Sequence, residues 1–146
     1  MTVRRLDHYN ILTPRLAETV AFYSDVLEMK SGPTPNGDPK RAAWIYDDEG
    51  SPIVHIQAVD PEAPQLKFAE VKKRLGDMIG PLDLARLQGS GSVEHVALKC
   101  EDYDRTLKRC RERRVEVRTN DIPARNFRQL FIKDPNGIVL ELNFQG

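Results

Sequence analysis

Residues 6–12 read LDHYNIL and residues 93–99 read VEHVALK. Set at an offset of 87, the two stretches align residue for residue, with His8 on His95. The same offset puts Thr19 on Thr106, Asp47 on Asp134 and Gly50 on Gly137. With one extra residue allowed after Gly50, IVHIQ (53–57) lies on IVLELN (138–143), and His55 meets Glu141. Self-similarity at a fixed offset signals a repeated architecture. The chain therefore reads as two copies of one unit. A unit under about 60 residues buries too little core alone, so the copies are expected to pack together, within or between chains.

Working outward, residues 4–13 (RRLDHYNILT) alternate as a strand. Thr13 is placed to cap a helix with Pro14 in its first position. Leu16, Val20, Tyr23 and Leu27 then mark one helix face. Gly32 to Pro39 is rich in proline and glycine and reads as a loop. RAAWIYDD and PIVHIQAV form a hairpin across the turn Asp48–Ser51. The second copy repeats this order. SVEHVALKC is a strand, and Tyr103, Leu107 and Cys110 mark a helix face. VEVRT is a short strand. RQLFIKD and IVLELNF are strands joined by the turn Asp134-Pro135-Asn136-Gly137. The fold class is α+β: two tandem βαβββ modules, 1–59 and 93–146, making one domain. Residues 60–92 form a partly helical connector, with an apolar helix spacing at Leu66, Val71, Leu75 and Ile79 and Phe68 alongside. That connector reads as packing filler, or as a lid over a site.

Composition narrows the function classes. The 146 residues carry 22 basic and 22 acidic side chains and no net charge. That balance argues against a large basic footprint for nucleic acid. No stretch approaches the ~20 apolar residues of a membrane span. The opening MTVRRLDHYN lacks the apolar run of a secretory signal. Two cysteines, Cys100 and Cys110, are too few for a disulfide framework and read as ordinary buried or half-buried thiols. A cytoplasmic location is expected.

The chain has three histidines. All of them fall on repeat-equivalent strand sites: His8 and His95 on the first strand of each unit, His55 on the last strand of the first. The fourth equivalent site holds Glu141. A lone strand histidine is ordinarily a hydrogen-bonded structural residue. Three at matched positions, with a carboxylate at the fourth, read instead as one shared metal site. Three imidazoles and a carboxylate suit Zn²⁺, Ni²⁺, Co²⁺, Mn²⁺ or Fe²⁺. One or two open positions would remain for water or substrate. Strand alternation places Asn10, Gln57, Ala97 and Asn143 on the same face as these donors. Asn10, Gln57 and Asn143 are candidates to orient a substrate oxygen, and Arg128 to bind an anionic group. Trp44 and Phe131 are candidate apolar walls.

These residues carry a resemblance. LDHYNI, AFYSDVLEM, IVHI, VEHVAL and DPNGIVLEL, spanning residues 6 to 144 apart from the connector, resemble the vicinal oxygen chelate superfamily of glyoxalases, bleomycin-resistance proteins and extradiol dioxygenases. The resemblance implies paired βαβββ units whose curved sheets enclose a metal, with ligands at His8, His55, His95 and Glu141. It implies a metal-dependent lyase or isomerase of glyoxalase type, acting on a small oxygenated substrate, with Glu141 as base. Glyoxalase I enzymes usually place a glutamate where this chain has His55, and methylmalonyl-CoA epimerases a glutamine. Extradiol dioxygenases match His8, His95 and Glu141 as an Fe²⁺ triad. They usually carry a tyrosine ten residues before the last glutamate, where this chain has Phe131. An Fe²⁺ ring-cleaving dioxygenase is the alternative. A drug- or metabolite-sequestering protein is the third reading, disfavoured because such members usually lack the ligands. Fosfomycin-resistance enzymes share the three ligands, but no phosphonate- or thiol-binding signature is evident. A homodimer is expected. A connector of about 30 residues spans roughly 100 Å when extended at ~3.3 Å per residue. That reach permits a site within each chain, the arrangement favoured here over one shared between chains.

Overall fold

A turn repeated in both halves shows how the sequence builds the units. Asp47 accepts from the Ser51 amide at 2.7 Å, and Asp134 from the amides of Asn136 at 2.8 Å and Ile138 at 2.9 Å. Each aspartate closes a loop ending in a glycine, Gly50 or Gly137, with φ of 82° and 77°. That left-handed conformation costs glycine little. Each turn delivers the chain into the last strand of its unit.

The computed structural model describes residues 2–35 and 37–146. The chain divides into two units, Met1–Leu87 and Gln88–Gly146. In the first unit the order is β1 (Tyr9–Thr13), α1 (Leu16–Asp25), β2 (Lys30–Gly32), β3 (Ala42–Tyr46), β4 (Val54–Ala58) and α2 (Pro64–Leu75). In the second it is β5 (Val96–Cys100), α3 (Tyr103–Glu112), β6 (Arg118–Ile122), β7 (Phe127–Lys133) and β8 (Val139–Gln145). Each unit holds one four-stranded mixed sheet, ordered β1-β4-β3-β2 and β5-β8-β7-β6. The outer first strand runs parallel to the last strand, and the other pairs are antiparallel. This is the α+β architecture of tandem βαβββ modules.

One face of each sheet is the core. In the first unit Ile11, Ile45, Val54 and Ile56 are buried with Tyr23 of α1. In the second, Leu130, Ile132, Leu140 and Leu142 are buried, and Tyr103 of α3 meets Phe144 edge-on at 5.3 Å. Alternation then sends the intervening residues to the opposite face. His55 and Gln57 of β4 and Glu141 and Asn143 of β8 leave the core this way.

Several boundaries differ from the sequence reading. β1 begins at Tyr9 instead of Arg4. The first ladder bond runs from the Tyr9 amide to the Ile53 carbonyl. Beyond it Pro52 has no N–H, and the Ile53 amide is spent on Ser51 within the turn. His8 and His95 therefore sit one residue ahead of their strands. Thr13 does not cap α1 but ends β1. Its Oγ1 accepts from the Arg15 amide at 2.8 Å, and Arg15 is the N-cap residue. The buried face of α1 includes Thr19 beside Tyr23. β2 lies partly in the expected loop. It is a short edge strand with no apolar run, and Gly32 is required there because a Cβ would meet the Tyr46 ring at 2.7 Å. β6 starts three residues late because the Val115 amide is still bonded to the Cys110 carbonyl at the end of α3.

Helix α2, within the stretch expected to connect the copies, belongs to the first unit. Its Glu70 reaches Arg41, just ahead of β3, at 2.7 Å and pairs within the helix with Lys67 at 2.6 Å. Of its expected apolar face only Val71 is fully buried, and Leu66 stays 65% exposed. No helix among the described residues is long and apolar enough to cross a membrane. Cys100 is half-buried and Cys110 buried, and both are free thiols.

Candidate functional site

The first unit gathers three rings. Trp44 and His55 are register partners on β3 and β4, so their side chains project from one face. The His55 ring stacks on Trp44 at 4.2 Å between centroids and on His8 at 3.8 Å. Its Nε2 is buried and has no hydrogen-bond partner. Burial, then the neighbouring His8, pushes His55 below the ordinary histidine range, opposed by a hydrogen bond to the Pro52 backbone and the Asp7 charge. A neutral imidazole with an unshared, buried nitrogen lone pair is in the state a metal ligand requires. Nearby, Gln57 Nε2 donates to Asn10 Oδ1 at 3.0 Å.

The second unit gathers His95 and Glu141, with Nε2 and Oε2 3.3 Å apart. Glu141 is 15% exposed at its side chain. Phe131 is the register partner of Glu141 and meets the His95 ring edge-on at 6.4 Å. Asn143 donates from Nδ2 to Glu141 Oε1 at 2.8 Å.

Two residues overlooked in the sequence reading repeat one device in both units. Asp7 lies 2.6 Å from His8 Nδ1, and Glu94 lies 2.9 Å from His95 Nδ1. The His8 contact is the main reason the Asp7 carboxyl sits below its usual range. A carboxylate on one ring nitrogen fixes the tautomer and leaves Nε2 as the donor to a metal. The signal was present in sequence, since an acid precedes each first-strand histidine. Gln129 and Asn120 were also overlooked. Both sit on the Asn143 side of the sheet.

Arg128 is placed elsewhere. It shares the core-side face of β7 with Leu130 and Ile132, and its guanidinium lies 3.3 Å from the centre of the Tyr103 ring. Asp104 and Asp121 flank it at 3.5 and 3.7 Å. It faces away from Glu141, because successive residues of β7 alternate sides and Phe131 is on the other one. A groove of about 1380 Å³ in the first unit runs along α1 and α2, past Val20, Pro33, Leu66 and Lys67. None of the candidate donors lines it.

Each unit thus holds two of the four candidate donors. Among the described residues, no group of three or more His, Cys, Asp or Glu side chains is gathered so as to hold a metal. The donor chemistry fits a divalent ion, on the evidence of the orphaned His55 Nε2 and the carboxylate-backed rings of His8 and His95.

A family profile described as the Glyoxalase/Bleomycin resistance protein/Dioxygenase superfamily matches residues 5–142. The chain belongs to that superfamily. Its fold is similar to a glyoxalase/dioxygenase from Nostoc punctiforme, with a TM-score of 0.66 and 15% identity over 98% of this chain and 92% of that one. It is also similar to a glyoxalase/bleomycin resistance protein/dioxygenase from Nocardioides, with a TM-score of 0.62 and 18% identity over 99% and 85%. A genomically encoded fosfomycin resistance protein from Listeria monocytogenes gives 0.61 and 13% over 99% and 96%. At these identities the likeness is one of fold. No curated protein sequence matches the chain.

Proposed function

We propose that this superfamily member is a metal-dependent lyase or isomerase of glyoxalase type, acting on a small oxygenated substrate. His8, His55, His95 and Glu141 are its metal donors. The observation that carries the reading is the buried, unpartnered Nε2 of His55. Leaving such a nitrogen unsatisfied costs about 1–3 kcal/mol, a cost that a ligand would relieve. The carboxylates on His8 and His95 support the same reading.

A bound divalent ion would supply Lewis-acid polarisation of two neighbouring substrate oxygens. The chain's own residues do the rest. Glu141, a ligand that can loosen, would take a proton at Oε2 when that oxygen is released, as the general base, while Asn143 keeps its Oε1. The Asn10–Gln57 pair offers amide groups to a substrate oxygen. Trp44 and Phe131 give apolar walls that exclude water. Arg128, turned to α3, takes no part. We further propose a cytoplasmic homodimer with the site inside each chain.

The test is reloading with Zn²⁺, Ni²⁺ or Co²⁺ without oxygen, followed by measurement of proton exchange from D₂O into small α-hydroxycarbonyl substrates. Oxygen-independent exchange that depends on Glu141 supports the reading. Oxygen consumption with Fe²⁺ and a catechol would overturn it in favour of ring cleavage. Tight drug binding without metal would overturn it in favour of sequestration.

A further inference from the structure

Three side-chain amides lie in a row across the second unit. Asn120 of β6 is the register partner of Gln129 of β7, and Gln129 is the partner of Asn143 of β8. Directly opposed residues bring their Cβ atoms within about 4.5–5.5 Å, a gap that amides can bridge. Asn120 Nδ2 donates to Gln129 Oε1 at 2.6 Å, and Gln129 Nε2 to Asn143 Oδ1 at 3.0 Å. Asn143 Nδ2 then donates to Glu141 Oε1 at 2.8 Å.

The direction of this row is forced. An ionised carboxylate only accepts, so Asn143 must turn its NH₂ toward Glu141 and its carbonyl toward Gln129. Gln129 must then turn its NH₂ the same way, and so must Asn120. Consecutive bonds of one sense polarise each other. Gln129, at 9% exposure, leaves little room for water to replace it. The result is a carboxylate with Oε1 occupied and Oε2 turned to His95 Nε2.

We propose that Asn143, Gln129 and Asn120 are positioning residues that hold Glu141 as a one-oxygen metal donor through Oε2, set before the ion arrives. The proposal rests on Glu141 being a metal donor, and the experiment separates the two ideas. Co²⁺ is the probe, with affinity read by competition titration and geometry by the visible absorption of the bound ion. Gln129→Met keeps the length and removes the amide. It raises the Co²⁺ Kd about 10-fold, the lower end of the range for groups that orient a ligand, and alters the visible band. Asn120→Ala, at an exposed position at the far end of the row, raises Kd by less. Being exposed, it decides the matter if Gln129→Met does not fold. If both variants match the wild type in Kd and spectrum while Glu141→Gln loses Co²⁺, the positioning row is overturned and the donor reading stands. If Glu141→Gln binds Co²⁺ like the wild type, the donor reading fails and the row fails with it.

Discussion

In the first unit Gln57 reaches across to Asn10 on the neighbouring strand. In the second unit Asn143, at the equivalent place on the last strand, reaches along its own strand to Glu141. The difference follows from two substitutions between the copies. Where the first has Asn10, the second has Ala97, which offers no acceptor. Where the second has Gln129, the first has Ala42, the register partner of Gln57. The last-strand donor is therefore left bare in one unit, as His55 Nε2, and tied in the other, as Glu141 Oε1. A duplicated scaffold has kept its strand positions and changed what surrounds them. Aromatic packing orients one donor, a ring held between two others. Hydrogen bonds orient the other.

The most damaging way to break this comparison is to remove a donor. Glu141→Ala and His95→Ala should each weaken divalent-metal affinity beyond the ~10–100-fold typical of losing an orienting partner. His8→Ala in the other unit should do the same. Competition titration with Co²⁺ measures it, and a loss under tenfold for any of the three would remove that residue from the donor set.

The next effect is one of pH. Folding holds His55 below the ordinary histidine value, so below about pH 6.5 the unfolded chain takes up a proton that the folded one resists. The stability of metal-free protein should be complete above that pH and decline as pH falls toward the lowered folded value. The His55 share of metal affinity should instead hold over this interval and fall only as pH drops through the lowered folded value, because ligation needs neutral imidazole in the folded protein. Urea denaturation between pH 5 and 8 checks the first point, and His55→Gln should flatten the slope. An unchanged slope would place the pH dependence on other groups.

How much was legible beforehand follows the same contrast. The repeat, the two sheets and the four candidate donors could be read because they depend on spacing and strand alternation, which sequence carries directly. The amide row could not. It joins residues from three strands, and its β6 member, Asn120, lies just beyond the strand VEVRT (115–119) that the sequence suggests, the strand itself running Arg118–Ile122. Arg128 differs for a related reason. Read as a candidate to bind an anionic group, it is set by β7 alternation on the side away from Glu141, where its guanidinium lies over the Tyr103 ring with the side chain still 42% exposed, a contact worth about 0.5–1 kcal/mol at such a site. The Asp7 and Glu94 pairings needed only attention to the residue before each histidine.

A subtler variant exchanges a feature between units. Ala97→Asn gives the second unit the acceptor that captures Gln57 in the first. Asn143 should then divide its donor between the two, and Co²⁺ affinity should fall by less than the ~10-fold expected of losing the row. An unchanged affinity would mean that Ala97 is not what sends Asn143 to Glu141. The smallest effect is expected at Cys100, which occupies the place of Thr13 in the first unit. Burial pushes its thiol up to about 11, so iodoacetamide at pH 8 should leave it largely unmodified in the folded protein. Rapid labelling would show that this strand opens readily.

The central claim is that these donors hold a metal. Elemental analysis of wild-type protein reloaded with Zn²⁺ and desalted, beside the triple variant His8→Ala, His95→Ala, Glu141→Ala, tests it most directly. The account predicts about one ion per chain in the wild type and essentially none in the variant. Equal, full occupancy in both would contradict it.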